Sequence, residues 1–159
     1  MFVGEQPGDQ EDKAGHPFVG PAGRMLDKAL EEVGIDRARV YVTNAVKHFK
    51  WVASGKRRIH QKPNAREVAA CRGWLEAEIA ALKPRAIVCL GATAAQALLG
   101  RAFRVTQQRG EWVESPLAPR VMATIHPSAI LRAPDHDSRE REYQGLVKDL
   151  RKVKQALEE

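Results

Sequence analysis

The sequence predicts a three-layer α/β sandwich, a central and mainly parallel sheet flanked by helices, with all 159 residues in one domain. Three observations carry this. The runs VYVTNAV (40–46), AIVCLG (86–91) and VMATIH (121–126) are apolar and rich in β-branched residues, as strands buried on both faces are. Segments with helical apolar periodicity separate them. Polar, unusual residues gather just after the runs, where open α/β sheets place their ligands.

Taken in order, MFVGEQPG begins with a very short strand and turns at Gly4-Glu5-Gln6-Pro7-Gly8. AGRMLDKALEEVG sets Met25, Leu26, Ala29, Leu30 and Val33 on one helical face and stops at Gly34. The stretch GKRRIHQKP (55–63), bounded by Gly55 and Pro63-Asn64, reads as a basic loop. Asn64 with Glu67 three residues on forms a capping-box pattern; the helix it opens buries Val68, Cys71, Leu75, Ile79 and Leu82 and ends before Pro84. After the second strand a short helix runs from Thr93 to Leu99. EWVES (111–115) reads as a weaker strand. A last helix from Ser138 buries Tyr143, Leu146, Val147, Leu150, Val153 and Leu157.

Composition narrows the function classes. Apolar residues make up 43%, enough for a folded core, and Lys plus Arg exceed Asp plus Glu by 26 to 20. A sequence pI near 9.6 permits a nucleic-acid partner without establishing one. The two cysteines give no disulfide framework, and the N-terminus lacks a signal-peptide pattern. The least polar stretch, AIVCLGATAAQALLG, is too short and too broken to span a bilayer. The expectation is a soluble intracellular protein.

The strand ends carry GEQPGDQED, TNAVK, CLGAT and IHPSA. Glu5, Asp9, Glu11 and Asp12 crowd the first turn and would repel phosphate; they suit water activation, stabilisation of a developing cation or divalent-metal binding, or a polar turn with capping acids. Asn44 offers a donor and an acceptor that match a nucleobase edge, or satisfies loop backbone. His126, restricted by Pro127, can donate to a developing oxyanion, or bond backbone. Phe18 is a stacking platform or a loop anchor.

Together these motifs resemble the uracil-DNA glycosylase superfamily in its family-4-like iron–sulfur group, over nearly the whole chain. GEQPGDQEDKAGHPFVGPAG is similar to the first motif, TNAVK to the uracil-recognising strand end and HPS to the second catalytic motif. GEQPG with KRRIH resembles the narrower UdgX-type branch; ordinary family-4 enzymes have Ala where Gln6 stands and lack the basic histidine loop. The resemblance implies that Asn44 reads the uracil edge, Phe18 stacks on the base, His126 supports the departing carbonyl oxygen and Ser128 helps to bind substrate. It places Glu5, Gln6 and Asp9 in the catalytic motif and makes His60 the nucleophile that traps the sugar, with Lys56, Arg57 and Arg58 seating the backbone phosphates.

The implied partner is uracil-containing DNA, single-stranded for preference, acted on by a monomer in the cytoplasm beside the nucleoid. The implied cofactor is a [4Fe–4S] cluster held by four cysteines, of which Cys71 and Cys89 would be the downstream pair. No upstream pair precedes the first motif here. The expectation is therefore a truncated start, with the cluster in the full-length protein and none complete in this chain. The alternatives to trapping are a multiple-turnover uracil-DNA glycosylase and a non-catalytic binder of uracil-containing DNA.

Overall fold

The computed structural model describes residues 1–16 and 18–159. Four parallel strands form the main sheet in the order β2-β1-β5-β6: β1 Phe2–Gly4, β2 Val42–Asn44, β5 Ala86–Leu90 and β6 Arg120–Thr124. The register pairs Phe2 with both Val42 and Val88, and Val88 with Met122. Parallel strands need helical crossovers, and each crossover covers a face.

Side-chain alternation sorts the strands between two cores. Phe2, Val42, Val88, Leu90 and Met122 pack under α2 (Pro21–Val33), α6 (Pro127–Leu131) and α7 (His136–Glu158). Val3, Ile87, Cys89, Val121 and Ala123 pack under α3 (Ala65–Leu82) and α4 (Ala92–Leu99), with Phe103 and Val105 beside them. The predicted three-layer class is the observed one. No helix among the described residues is long and apolar enough to cross a membrane.

The helix signals translate directly. Asn64 accepts from the Glu67 N–H at 2.9 Å while Glu67 accepts from the Asn64 N–H at 3.0 Å, the reciprocal cap that opens α3. Gly34, at φ 81°, closes α2 in the left-handed conformation. The last helix begins two residues before Ser138, because the Asp135 side chain accepts from the Ser138 N–H at 2.7 Å.

Three expectations change. The acidic turn is a helix, α1 (Asp9–Ala14), with Asp9, Glu11 and Asp12 in its first turn, where the helix dipole favours carboxylates. EWVES contributes only an isolated antiparallel bridge, Val113 to Val121. The basic loop is a β-hairpin: β3 (Trp51–Ser54) pairs antiparallel with β4 (Arg57–His60), in the register Trp51–His60, Val52–Ile59, Ala53–Arg58 and Ser54–Arg57. Gly55 supplies the turn at φ 61°. Trp51, Val52 and Ile59 are good strand formers, and the pair stands as its own sheet, outside the main one.

A short helix, α5 (Val105–Gln108), leads into the latch that fixes the outer edge. Asp149 of α7, 6% exposed, accepts from Thr124 Oγ1 at 2.6 Å and from Arg109 Nε and Nη2 at 3.1 and 3.0 Å. Replacing Asp149 with Ala leaves a guanidinium and a hydroxyl without their acceptor. Urea unfolding of D149A is expected to show a loss of about 3 kcal/mol; a loss under about 0.5 kcal/mol, the range of ordinary surface changes, would contradict this role.

Candidate functional site

Because every strand of the main sheet points the same way, the chain leaves β1, β2, β5 and β6 on one edge. A cavity of about 570 Å³ opens there. Glu5 and Gln6 reach it from the end of β1, Asn44 from β2, Thr93 from the first turn of α4, and His126 and Ser128 from the start of α6. Phe18 enters from the loop before α2, and His60 from the end of the hairpin. With Glu11, which also lines the cavity, the structure thus brings together eight residues singled out from the sequence, while Asp9, Asp12, Lys56, Arg57 and Arg58 lie outside the cavity lining. A second cavity of about 490 Å³ opens among residues such as Ile35, Tyr41, Leu82 and Leu157; none of the sequence-derived site residues lines it.

Asn44 is 6% exposed, and its Oδ1 has no hydrogen-bond partner among the described residues. A buried amide oxygen left open is costly unless a ligand completes it. Its backbone is braced from behind: Lys47 Nζ donates to the Asn44 carbonyl at 2.6 Å and to Thr43 Oγ1 at 2.7 Å, and pairs with Glu78. Gly4 is the neighbour across the sheet. A Cβ there would stand 2.6 Å from Asn44 Oδ1 and 2.7 Å from Phe18 Cζ, so only glycine leaves room for amide and ring together.

Phe18 adopts φ 56°, a left-handed conformation that a bulky residue takes only when its surroundings impose it. Two neighbours do so. A Cβ on Gly23 would fall 1.8 Å from the Phe18 carbonyl oxygen. Glu11 accepts from the N–H groups of Val19 at 3.1 Å, Gly20 at 2.6 Å and Gly8 at 3.2 Å, stitching the loop to α1. The Phe18 ring lies 5.6 Å from the His126 ring, tilted by 31°. Sequence reasoning saw Glu11 only as one more acid in a crowded turn; its partners are backbone groups that the sequence does not reveal.

His126 caps α6. Its Nδ1 accepts from the Ser128 N–H at 3.0 Å and lies 2.7 Å from Ser128 Oγ. An Nδ1 that accepts from backbone leaves the neutral ring's proton on Nε2, a donor. Burial, then the charges of Arg132 and His60, push the imidazole down to about 4. Near neutral pH His126 is a neutral hydrogen-bond donor.

His60 faces Glu5: Nε2 to Oε1 is 3.0 Å. The contact is close but poorly directed, and Oε1 has no aligned hydrogen-bond donor among the described residues. Glu5 Oε2 accepts from Thr93 Oγ1 at 2.9 Å. Gln6, expected in the catalytic motif, has a structural task here. Its Nε2 donates to the carbonyls of Lys50 at 3.2 Å and Gln61 at 2.9 Å, and its Oε1 accepts from the Lys50 N–H at 3.1 Å. One side chain therefore holds both legs of the hairpin.

Arg58 is likewise engaged inside the protein. Its Nε donates to Asp9 Oδ1 at 2.5 Å and its Nη1 to Asp12 Oδ2 at 2.9 Å, while its guanidinium covers Phe49 and Trp51 at 5.1 and 5.5 Å. Asp9 sits below the usual carboxylate range, first through Lys13 and, against the opposing effect of desolvation, also through Arg58. Asp9 and Arg58 are thus a hairpin lock, whereas Lys56 and Arg57 stand exposed at the turn.

As placed, the cysteines do not fit an iron–sulfur cluster. Cys89 is 0% exposed in the middle of β5, and burial pushes its thiol up to about 12, so it packs as a small apolar residue. Cys71 Sγ accepts from the Lys47 N–H at 3.5 Å. No group of three His, Cys, Asp or Glu among the described residues could hold a metal ion.

Known proteins are similar to this sequence. The family model for the uracil DNA glycosylase superfamily matches residues 1–151. The Type-4 uracil-DNA glycosylase of Pyrobaculum aerophilum is 39% identical over 84% of this chain and 68% of its own length. That of Thermotoga maritima is 38% identical over 97% of this chain and 75% of its own. A Type-5 uracil-DNA glycosylase of Pyrobaculum aerophilum is 38% identical over 82% of this chain and 61% of its own.

The His126 pKa makes a stability prediction. The folded value of about 4 lies below the ordinary 6.5, so between them the unfolded chain binds the extra proton and stability falls as pH falls through that window. Urea unfolding across that range is expected to show the wild type losing stability relative to H126Q, whose side chain does not titrate. A pH-independent difference would show that the folded protein accepts the charged ring.

Proposed function

The chain belongs to the uracil-DNA glycosylase superfamily, and from that premise we propose that it excises uracil from DNA and then joins His60 to C1′ of the sugar left behind, the chemistry of the UdgX-type branch. The supporting observation is the position of His60: 3.0 Å from Glu5, lining the same cavity as Asn44 and His126, on a hairpin that Gln6 holds by both legs.

Uracil within DNA must leave the stack to reach such a cavity, which costs least in a single strand. The base enters beside Phe18, and Asn44 completes its open Oδ1 against the uracil N–H. The C1′–N1 bond then breaks and its electron pair leaves with uracil, giving an anionic base and an oxocarbenium-like sugar. The His126 Nε2 proton meets the charge growing on the uracil carbonyl, a contribution of ~3 kcal/mol for a well-placed donor. The Glu5 carboxylate stabilises the cation on the other side.

An imidazole held at the cavity outcompetes water for C1′ through proximity. Because Nε2 faces Glu5, Nδ1 forms the new C–N bond; the Nε2 proton of the imidazolium passes to Glu5 and on to solvent, and uracil is protonated separately. The neutral imidazolyl sugar that remains has a poor leaving group. Lys56 and Arg57, exposed at the hairpin turn, hold flanking phosphates, while Arg58 keeps the hairpin rigid. A [4Fe–4S] cluster, the cofactor of the resembling group, enters no step here, since Cys71 and Cys89 as placed do not fit one. The similarity to Type-4 enzymes favours one rival, a multiple-turnover glycosylase in which His60 is a bystander.

Two variants test the assignment. Asn44→Ala is expected to cost ~1–3 kcal/mol of discrimination between uracil-containing and uracil-free DNA, measured by competition binding. Equal weakening on both would remove Asn44 as the reader. His60→Ser is expected to lose the denaturant-stable protein–DNA complex yet still produce alkali-labile abasic sites. A crosslink that survives in H60S points to another nucleophile, and wild-type turnover without a crosslink supports the rival.

A further inference from the structure

We propose that Thr93 is the positioning residue that fixes Glu5 as the proton acceptor for His60, and so sets how often the sugar is trapped and not hydrolysed. The inference rests on the trapping reading above.

Thr93 is the second residue of α4, 7% exposed, and its hydroxyl donates to Glu5 Oε2 at 2.9 Å. That bond uses one carboxylate oxygen. The other, Oε1, is buried without an aligned donor and stands 3.0 Å from His60 Nε2. The hydroxyl thus decides which oxygen faces the imidazole and stops the carboxylate from rotating away. A β-branched side chain in a helix has few χ1 options, so threonine delivers the hydroxyl with little freedom of its own.

The same turn of α4 sets the other half of the site. Gly91, its N-cap, has φ 92°, and a Cβ there would come within 3.1 Å of His126 Cβ. One helix start therefore places both the group that supports the leaving base, through Gly91, and the group that assists the nucleophile, through Thr93. In the trapping step the imidazolium loses its proton to Oε1 as the C1′–N bond is retained. A carboxylate that wanders leaves the imidazolium protonated, still a leaving group, and lets water compete.

The test uses T93V, which keeps the shape and removes the hydroxyl, together with T93S, E5Q and the T93V/E5Q double variant. Single-turnover reactions with uracil-containing single-stranded DNA are divided: denaturing gels read the crosslink, and alkali reads free abasic sites. T93V is expected to lower the ratio of crosslink to free abasic product about tenfold, the loss of a hydrogen bond to a charged group, while T93S stays within about twofold of wild type. In the E5Q background T93V is expected to change the ratio by less than about twofold, because Thr93 acts through Glu5.

A wild-type ratio in T93V overturns the inference, whatever the variant's melting temperature. So does a T93S that behaves like T93V, or a T93V effect of equal size in the E5Q background. A wild type that excises uracil without any crosslink is a different failure: it removes the trapping reading itself, and this inference with it.

Discussion

With β1 paired in parallel to β2 on one side and β5 on the other, the backbone must leave the sheet at Glu5, Ala45 and Gly91 along one edge, and β6 adds Ile125 and His126 to it. Everything else in the site follows from that pairing. Strand spacing of roughly 4.8 Å sets the separation of the groups along this edge, and a single glycine, Gly4, leaves room for Asn44 and Phe18 together. A slip of one residue in β1 would turn Phe2 and Val3 to the wrong cores and carry Glu5 out of the cavity.

The hairpin is an addition to that edge that forms its own two-stranded sheet and pairs with no described strand of the main one. Three devices hold it: the Gln6 side chain on its legs, the Arg58 pair with Asp9 and Asp12, and the stacking of Arg58 on Phe49 and Trp51. The same Arg58 neutralises two of the four carboxylates that would repel a DNA backbone from the first motif. The crowding of acids in GEQPGDQED then has three separate explanations. Glu5 faces the histidine, Glu11 stitches a loop, and Asp9 and Asp12 lock the hairpin.

The layers and the cavity edge were legible because two-sided burial writes itself as continuous apolar runs, and because Asn64, Glu67 and Gly34 mark helix ends through local chemistry. The strand ends named Glu5, Asn44 and His126 for the same reason. The hairpin was not legible: its strands are exposed on both faces, and Gly55 and Pro63 are as much loop signals as turn signals. The structural task of Gln6 is not legible in sequence, since its partners are backbone atoms 44 and 55 residues away. Thr93 was passed over in CLGAT, where a threonine near a helix start reads as ordinary capping chemistry. Cys89 matched a ligand by residue type, while its place in the strand pattern already put it inside the core.

The proposed bond between His60 and C1′ has a direct readout. Wild-type protein incubated with a uracil-containing single-stranded oligonucleotide, digested with nuclease and protease, and sequenced by tandem mass spectrometry should carry a deoxyribose phosphate mass on the histidine of the peptide spanning Ile59 and His60, with free uracil released in equal amount. A sugar adduct on any other residue, or stoichiometric uracil release with every peptide unmodified, would contradict it.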